Sequence, residues 1–108
     1  MATQTLIDLQ ALADGARTLR VAVIGDVMLD ETILVSNHRG SPEFAVPIWT
    51  ETERRYAAGG AANVAMNAAA LGAQVSVCGI VGSDPEADWL HWLLRDLVAR
   101  PLFADPER

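Results

Sequence analysis

The chain has 108 residues and a formal charge of −6, and 51% of its residues are hydrophobic against 20% that are charged. This balance suits one folded domain rather than a disordered segment, and the negative charge argues against non-specific binding to nucleic acid or to an anionic membrane surface. All eight basic residues are arginine and the single cysteine is Cys78, which excludes a lysine-dependent Walker phosphate loop, an internal disulfide and a multi-cysteine zinc site.

A short helix and a buried strand open the chain. Residues 4–16 carry leucines at three- and four-residue spacing, which predicts an amphipathic helix packed on the outside of the domain. Residues 1–20 lack a signal-peptide pattern and no apolar run approaches the roughly 20 residues that cross a bilayer, so we predict a soluble, cytoplasmic protein with no membrane partner. Residues 19–25 form a β-branched run ending in glycine, typical of a strand buried on both faces of a parallel sheet.

Two aspartates and a predicted hairpin follow this strand. Asp26 and Asp30 come after its carboxyl end, the edge where open α/β sheets bind ligands, although Asp26 equally well caps a turn. Residues 32–35 and 46–52 read as strands joined by a polar turn over 37–42, which predicts an antiparallel lid over about 31–56. The apolar side chains of such a lid need a partner, either a ligand or another subunit.

Paired glycines, Gly59 and Gly60, precede an alanine-rich helix that is predicted to end at Gly72. Glycines before a helix allow backbone N–H groups to approach a ligand closely, where the helix dipole favours partial negative charge. Asn63, in the first turn, is placed to reach the same ligand. The alternative is that these small residues only permit close packing of the helix on the sheet. One stripe of the helix is predicted to make that packing: Val64, Ala68 and Leu71.

A second strand and a second helix are predicted in the last third of the chain. Residues 75–81 form another apolar run, parallel to the first strand, with Cys78 as an inert core thiol. Ser83 or Asp84 is predicted to cap a helix over about 86–99, whose apolar face includes five residues: Trp89, Leu90, Leu93, Leu94 and Leu97.

No element is predicted after Pro101, so the second helix is expected to return to no strand. Two parallel strands are too few to form a sheet covered on both faces. The sequence therefore predicts the opening part of a larger domain, with one unpaired sheet edge.

Two segments carry a resemblance to a known family. Residues 25–30 (GDVMLD) and 59–67 (GGAANVAMN) resemble the N-terminal motifs of the ribokinase-like (PfkB) carbohydrate kinases. Residues 41–47, with Arg39 two positions before the serine, resemble the lid loop of the subgroup that phosphorylates D-glycero-β-D-manno-heptose 7-phosphate in ADP-heptose synthesis. The resemblance implies an α/β chain, the N-terminal portion of a three-layer α/β/α fold with an inserted β lid.

The resemblance also implies roles at the sheet edge and on the lid. Asp30 matches the acidic residue that hydrogen-bonds the acceptor sugar, and Gly60 and Asn63 match sugar contacts at the helix start. Arg39 suits the phosphate of the substrate, because a guanidinium can grip phosphate oxygens bidentately. No residue is assigned to catalysis or to a metal. The candidate substrate-binding residues are Asp26, Asp30, Arg39, Gly59, Gly60 and Asn63.

The Gly-Ala-Gly-Asp motif, which supplies the catalytic base and anion hole in this family, has no counterpart in the sequence. We therefore expect residues 1–108 to be the sugar-binding part of a kinase that uses ATP and Mg²⁺, binding neither alone, with a sugar phosphate as substrate and a homodimer formed through the lid. The alternative is an inactive remnant that acts as an interaction or oligomerisation module. Rossmann-type dinucleotide binding is disfavoured, because no Gly-x-Gly-x-x-Gly follows the first strand.

Overall fold

A computed structural model describes residues 2–107, with the side chains of residues 8–36 and 40–107. The part described is a mixed α/β protein, as predicted. Its elements in chain order are α1 (Ala2–Ala16), β1 (Arg20–Ile24), β2 (Val27–Gly40), β3 (Pro47–Gly60), α2 (Ala61–Ala70), β4 (Gln74–Val81), α3 (Pro85–Leu93) and β5 (Leu102–Ala104).

Three strands form a parallel sheet in the order β1-β4-β5. Val21 and Val75 are partners in the register of β1 with β4, so the predicted parallel pair is confirmed. The expectation that the last helix returns to no strand is wrong, because β5 pairs in parallel with residues 79–81 of β4. A run of three residues is too short to show a strand's alternation, which is why the pattern did not reveal β5.

The predicted lid is an antiparallel hairpin of β2 and β3, and it is longer than expected. The base of the hairpin is the pair of Val27, where β2 begins, and Gly60, where β3 ends. β2 continues to Gly40 through residues that were predicted to form a turn. The register slips after Leu34, where the Thr52 hydroxyl donates to the Leu34 carbonyl at 3.1 Å, as in a β-bulge. With this projecting hairpin the radius of gyration is 20.0 Å, whereas a compact chain of this length has about 13 Å.

α2 packs on the sheet through alanines rather than through the predicted stripe. Ala62 and Ala65 are fully buried, whereas Val64 and Leu71 are 56% and 69% exposed. Of the predicted stripe, Ala68 alone is partly buried against the core. Alanine side chains allow the helix axis to lie close to the strands, and the larger side chains then fit only on the outer face.

α3 is shorter than predicted, ending at Leu93 instead of about residue 99. Its start is as expected, because the Asp84 carboxylate accepts a hydrogen bond from the Ala87 N–H at 2.9 Å. Leu94 and Leu97 are buried as predicted, but they lie in turns after the helix. Beyond these turns the backbone runs along β4, since the Val98 N–H donates to the Val75 carbonyl at 2.9 Å.

The helices cover only one face of the three-stranded sheet. The buried residues form one cluster beneath α2 and α3: Val27, Ala62, Ala65, Val75, Val77, Val81, Ala87, Leu90, Leu94 and Leu97. On the other face Ile24 is 80% exposed, Ile80 47% and Phe103 61%. The expectation of a first strand buried on both faces is therefore wrong for this chain. The described side chains of α1 do not supply the cover, because Leu9 and Leu12 are also exposed, contrary to the predicted packing at these two positions.

Candidate functional site

The end of β1, the base of the hairpin and the start of α2 meet at one place. Asp26 lies between β1 and β2, and its backbone carbonyl accepts a hydrogen bond from the Ala61 N–H at 2.7 Å. β1 is held beside β4 at the same level, because the Gly25 N–H donates to the Cys78 carbonyl. The carboxyl end of β1 is thus tied directly to the first residue of α2, as expected for a ligand-binding edge.

Asp30 and Gly59 are in direct contact across the hairpin. They lie on the same face, since Asp30 pairs with Ala57 and Gly59 pairs with Met28. A Cβ atom at Gly59 would lie only 2.7 Å from Oδ1 of Asp30 and 2.8 Å from its Cγ. Gly59 is itself buried, so the Asp30 carboxylate lies over a position that only a hydrogen atom can occupy.

Gly60 is the N-cap of α2 and has φ 56° and ψ −133°, a conformation that L-residues with side chains rarely adopt. A Cβ atom there would lie 2.5 Å from the Asp26 carbonyl oxygen. No side chain caps the helix. The Ala61 N–H already donates to the Asp26 carbonyl, so the other backbone N–H groups of the first turn, which have no partner within the helix, are the donors that this site offers.

Asn63 lies in the first turn of α2 and is exposed. Its Oδ1 accepts a weak hydrogen bond from Nδ2 of Asn67 at 3.4 Å, so the two amides lie on one helix face. This pairing orients the Asn63 side chain from within its own helix. The site therefore combines carboxylate acceptors with amide donors.

Arg39 is the candidate residue that the structure does not bring to this site. Its backbone pairs with Ile48 near the tip of the hairpin, and its side chain lies outside the described residues. Nine positions separate it from Asp30 along β2, which corresponds to roughly 30 Å in an extended strand.

The other two arginines of the hairpin bind carboxylates. Arg54 donates to both carboxylate oxygens of Glu51, at 2.9 and 2.7 Å, and also pairs with Glu31. Arg55 pairs with Glu53 at 2.6 Å. The hydrogen bond from Arg54 holds the pKa of the Glu51 carboxyl below its ordinary value. In turn Glu51 raises the pKa of Arg54, with smaller contributions from Tyr56 and Glu31. Both guanidinium groups are thus engaged within the hairpin.

Tyr56 is a residue of this region that the sequence reasoning missed. Its ring stacks on Trp89 of α3, with the ring centroids 4.9 Å apart. The predicted strand stopped at residue 52, so Tyr56 had no assigned face. Extending the alternation of β3 by four residues would have placed it on the face opposite Asp30 and Gly59.

Within the described part of the chain, no group of three or more His, Cys, Asp or Glu side chains is placed to hold a metal ion. The described helices likewise include none that is long and apolar enough to cross a membrane.

The family model of the pfkB carbohydrate kinases matches residues 18–97. The chain belongs to the pfkB family of carbohydrate kinases. The matched residues include β1, the hairpin, α2 and β4, so the whole of the candidate site lies within the family domain.

The chain is similar to curated proteins over most of its own length. The chain is 50% identical over 84 residues to the bifunctional protein HldE of Gluconobacter oxydans, covering 78% of this chain and 18% of the relative. It is 54% identical over 72 residues to the D-beta-D-heptose 7-phosphate kinase of Bordetella bronchiseptica, covering 67% of this chain and 23% of that kinase. The chain thus spans about a fifth of the length of these pfkB relatives.

Solved structures support the ribokinase-like fold of the pfkB family. A carbohydrate kinase from Agrobacterium tumefaciens matches with a TM-score of 0.59 at 20% identity, over 84% of this chain and 29% of that one. A fructokinase with bound ATP from Xylella fastidiosa matches with a TM-score of 0.55 at 25% identity, over 81% and 26%. The mixed α/β fold predicted from the sequence is confirmed.

Proposed function

We propose that this chain is the acceptor-sugar-binding part of an ATP-dependent carbohydrate kinase that acts on a phosphorylated heptose. The observation that carries the proposal is the Asp30 carboxylate over Gly59, next to the uncapped start of α2. A carboxylate accepts hydrogen bonds from hydroxyl groups, and helix N–H groups donate to hydroxyl oxygens. Neighbouring donors and acceptors of this kind suit a polyol better than a simple anion, which the carboxylate would repel.

The names of the relatives support a heptose 7-phosphate as the acceptor. Both the Gluconobacter and the Bordetella proteins match residues of this chain at 50% identity or more. Because Arg54 and Arg55 are engaged by carboxylates, Arg39 is the hairpin arginine that we assign to the phosphate of the sugar. That assignment requires the hairpin to bend over the site or to reach the site of a second chain.

In the reaction that we propose, a hydroxyl oxygen of the sugar bonds to the γ-phosphorus of ATP as the bond to the bridging oxygen of ADP breaks. ADP leaves, and the hydroxyl proton passes to the base that the Gly-Ala-Gly-Asp motif supplies in this family. Catalysis is mainly positioning and electrostatics. Asp30, Asn63 and the first-turn amides of α2 hold and orient the acceptor. The hairpin excludes water by covering it. Because the described residues offer no metal cluster, we assign no residue of this chain to Mg²⁺.

A homodimer through the hairpin is part of this proposal. Several apolar side chains of the hairpin are largely exposed, among them Val35 at 47% and Trp49 at 58%. A second hairpin laid against them would remove this surface from water. Light scattering checks the association, and it should weaken when Trp49→Ser is introduced.

A second candidate function is an interaction module without catalysis, and the uncovered sheet face favours it. Ile24, Ile80 and Phe103 form an apolar surface that another chain could cover. Sugar-dependent binding separates the two candidates, because an interaction module has no reason to bind a heptose phosphate.

The test is calorimetric titration of the chain with heptose 7-phosphate, with the unphosphorylated heptose and with inorganic phosphate. We expect saturable binding of the sugar phosphate, weaker binding of the heptose and none of phosphate alone. Asp30→Asn should weaken the binding at least tenfold, as removing a charged hydrogen-bond acceptor costs about 1.5–3 kcal/mol. Asp96→Asn, an exposed carboxylate after α3, is the matched control. Equal affinities for Asp30→Asn and the unchanged chain would remove Asp30 from the site.

A further inference from the structure

An aromatic cluster joins the hairpin to α3. Tyr56 of β3 stacks on Trp89 with the ring planes 27° from parallel, and Trp89 meets Trp92 edge-on at 5.7 Å between centroids. The Arg95 guanidinium carbon lies 4.2 Å from the centroid of the Trp92 ring. Stacked, edge-to-face and cation–π contacts are each attractive beyond the area they bury, so these four side chains act as one connected contact.

This cluster is the outer of two attachments between the hairpin and the body. At the base, Val27 is 4% exposed and Leu29 packs against the core. Tyr56 pairs with Glu31, on the same face and four residues further along β2 than Val27, roughly 13 Å away. Beyond Tyr56, residues 51–55 are exposed, so the rest of the described hairpin has no support from the body.

Asp30 lies between these two attachments. It pairs with Ala57, directly beside the pair of Glu31 and Tyr56, and it occupies the opposite face of the hairpin. We propose that Tyr56 is a positioning residue, clamping the hairpin on Trp89 and thereby holding the Asp30 carboxylate beside the start of α2. A hairpin attached only at its base would pivot there and carry Asp30 away from the start of α2.

The clamp is tested by hydrogen exchange on the full 108-residue chain. In Tyr56→Ala and in Trp89→Leu, the amides of residues 28–34 and 53–59 should exchange roughly tenfold faster, since an aromatic pair is worth about that factor in a local equilibrium. Tyr56→Phe keeps the ring and loses only the hydroxyl contact with Arg54, so its rates should stay much closer to those of the unchanged chain than the rates of Tyr56→Ala. Leu71→Ala removes an exposed apolar side chain from the outer face of α2, away from the hairpin, and is the control.

Comparing the amide exchange rates of the hairpin with those of the sheet distinguishes a clamp from a merely structural role of Tyr56. A clamp changes exchange in the hairpin and leaves the amides shared by β1 and β4 as they were. Unchanged hairpin rates in both Tyr56→Ala and Trp89→Leu, or equal acceleration of hairpin and sheet, would overturn the inference.

The consequence for ligand binding rests on the proposed function. Tyr56→Ala should raise the Kd for heptose 7-phosphate several-fold, and Tyr56→Phe should restore it. If the unchanged chain binds no sugar phosphate, the proposed function fails, and the exchange rates alone still decide whether Tyr56 is the clamp. If sugar binding is normal and Tyr56→Ala leaves it intact, the positioning role of Tyr56 is wrong.

Discussion

At the scale of single residues, the two glycines before α2 are needed for different reasons. Gly59 has an ordinary backbone and is constrained by the Asp30 carboxylate above it, whereas Gly60 is constrained by its own positive φ and by the Asp26 carbonyl. The sequence shows only a glycine pair. In the structure, a neighbouring side chain requires the first glycine, and the backbone conformation requires the second.

Gly59→Ala should weaken sugar binding by pushing the Asp30 carboxylate aside. The Cβ atom would lie 2.7 Å from Oδ1, so the side chain must leave its present rotamer. We expect at least a tenfold higher Kd, about 1.4 kcal/mol, by calorimetry. In an Asp30→Ala background the same change should have little effect, because the clash is gone. Additive effects of the two changes would show that the residues do not act together.

Gly60→Ala should reduce stability. A residue other than glycine at φ 56° and ψ −133° costs about 1–3 kcal/mol, before the contact with the Asp26 carbonyl is counted. The measurement is the urea midpoint of unfolding. Gly40→Ala is the control, since a Cβ atom there meets nothing within 4 Å. A Gly60→Ala chain as stable as Gly40→Ala would contradict the described backbone.

At the scale of elements, the hairpin is held by backbone pairing, by its clamp and by ion pairs on its faces. The ion pairs are exposed, so each contributes little to global stability and is weakened by salt. Their main effect is to oppose the local opening of the hairpin formed by β2 and β3.

The ion pairs give the hairpin a dependence on acidic pH. Arg54 holds the pKa of Glu51 below its ordinary value, so the stabilisation is present above pH 4.5 and is lost as the pH falls through the lowered pKa. Exchange protection of the hairpin, corrected for intrinsic rates, should therefore decrease on acidification below pH 4.5. Arg54→Gln should remove most of this dependence, and the same pH profile in that variant would exclude the Arg54 pairs as its source.

Sequence patterns predicted which elements form better than they predicted the residues at which each element begins and ends. The strand–hairpin–helix–strand order, the Asp84 cap and the parallel pairing of β1 with β4 were all predictable, because periodicity and capping act locally. The early end of α3 was not, since Leu94 and Leu97 keep helical spacing while lying in turns. The end of α3 is set by the hydrogen bond between the backbones of Val98 and Val75 in β4, which are distant in sequence.

The sequence indicated four of the residues that lie together at the candidate site but not their geometry, and it also indicated Arg39, whose backbone lies near the tip of the hairpin. Asp26, Asp30, Gly59 and Gly60 come together as the strand-end argument required. The contact of Asp30 with Gly59 depends on the register of β2 with β3, which the sequence does not specify when the turn is misplaced. Tyr56 was missed because the predicted strand stopped at residue 52, four residues before it.

At the scale of the whole molecule, the uncovered sheet face dominates the expected behaviour in solution. Its apolar side chains have no cover among the described elements, and Leu9 and Leu12 of α1 are themselves exposed. Surfaces of this kind associate with one another or with a partner.

Ile24→Thr should reduce association of the chain without unfolding it. Ile24 is 80% exposed, so threonine retains the β-branched shape and removes apolar surface at little cost to stability. Light scattering should give a lower mass, and a dye that reports exposed apolar surface should bind less. Ile33→Thr is a similar change on the hairpin. Comparing the two variants shows whether the chains associate through the sheet face or through the hairpin. An unchanged mass for Ile24→Thr would show that the sheet face is not the contact.

The hairpin enters and leaves the body at adjacent points, because Val27 and Gly60 are paired residues. The hairpin is therefore an insertion, and the positions of β1 and α2 do not depend on its length. Replacing residues 33–54, beyond the Tyr56 clamp, with a two-residue turn would close a much shorter loop and leave the sheet intact. The reach of this arm can thus be changed without moving Asp30 and the glycines at its root.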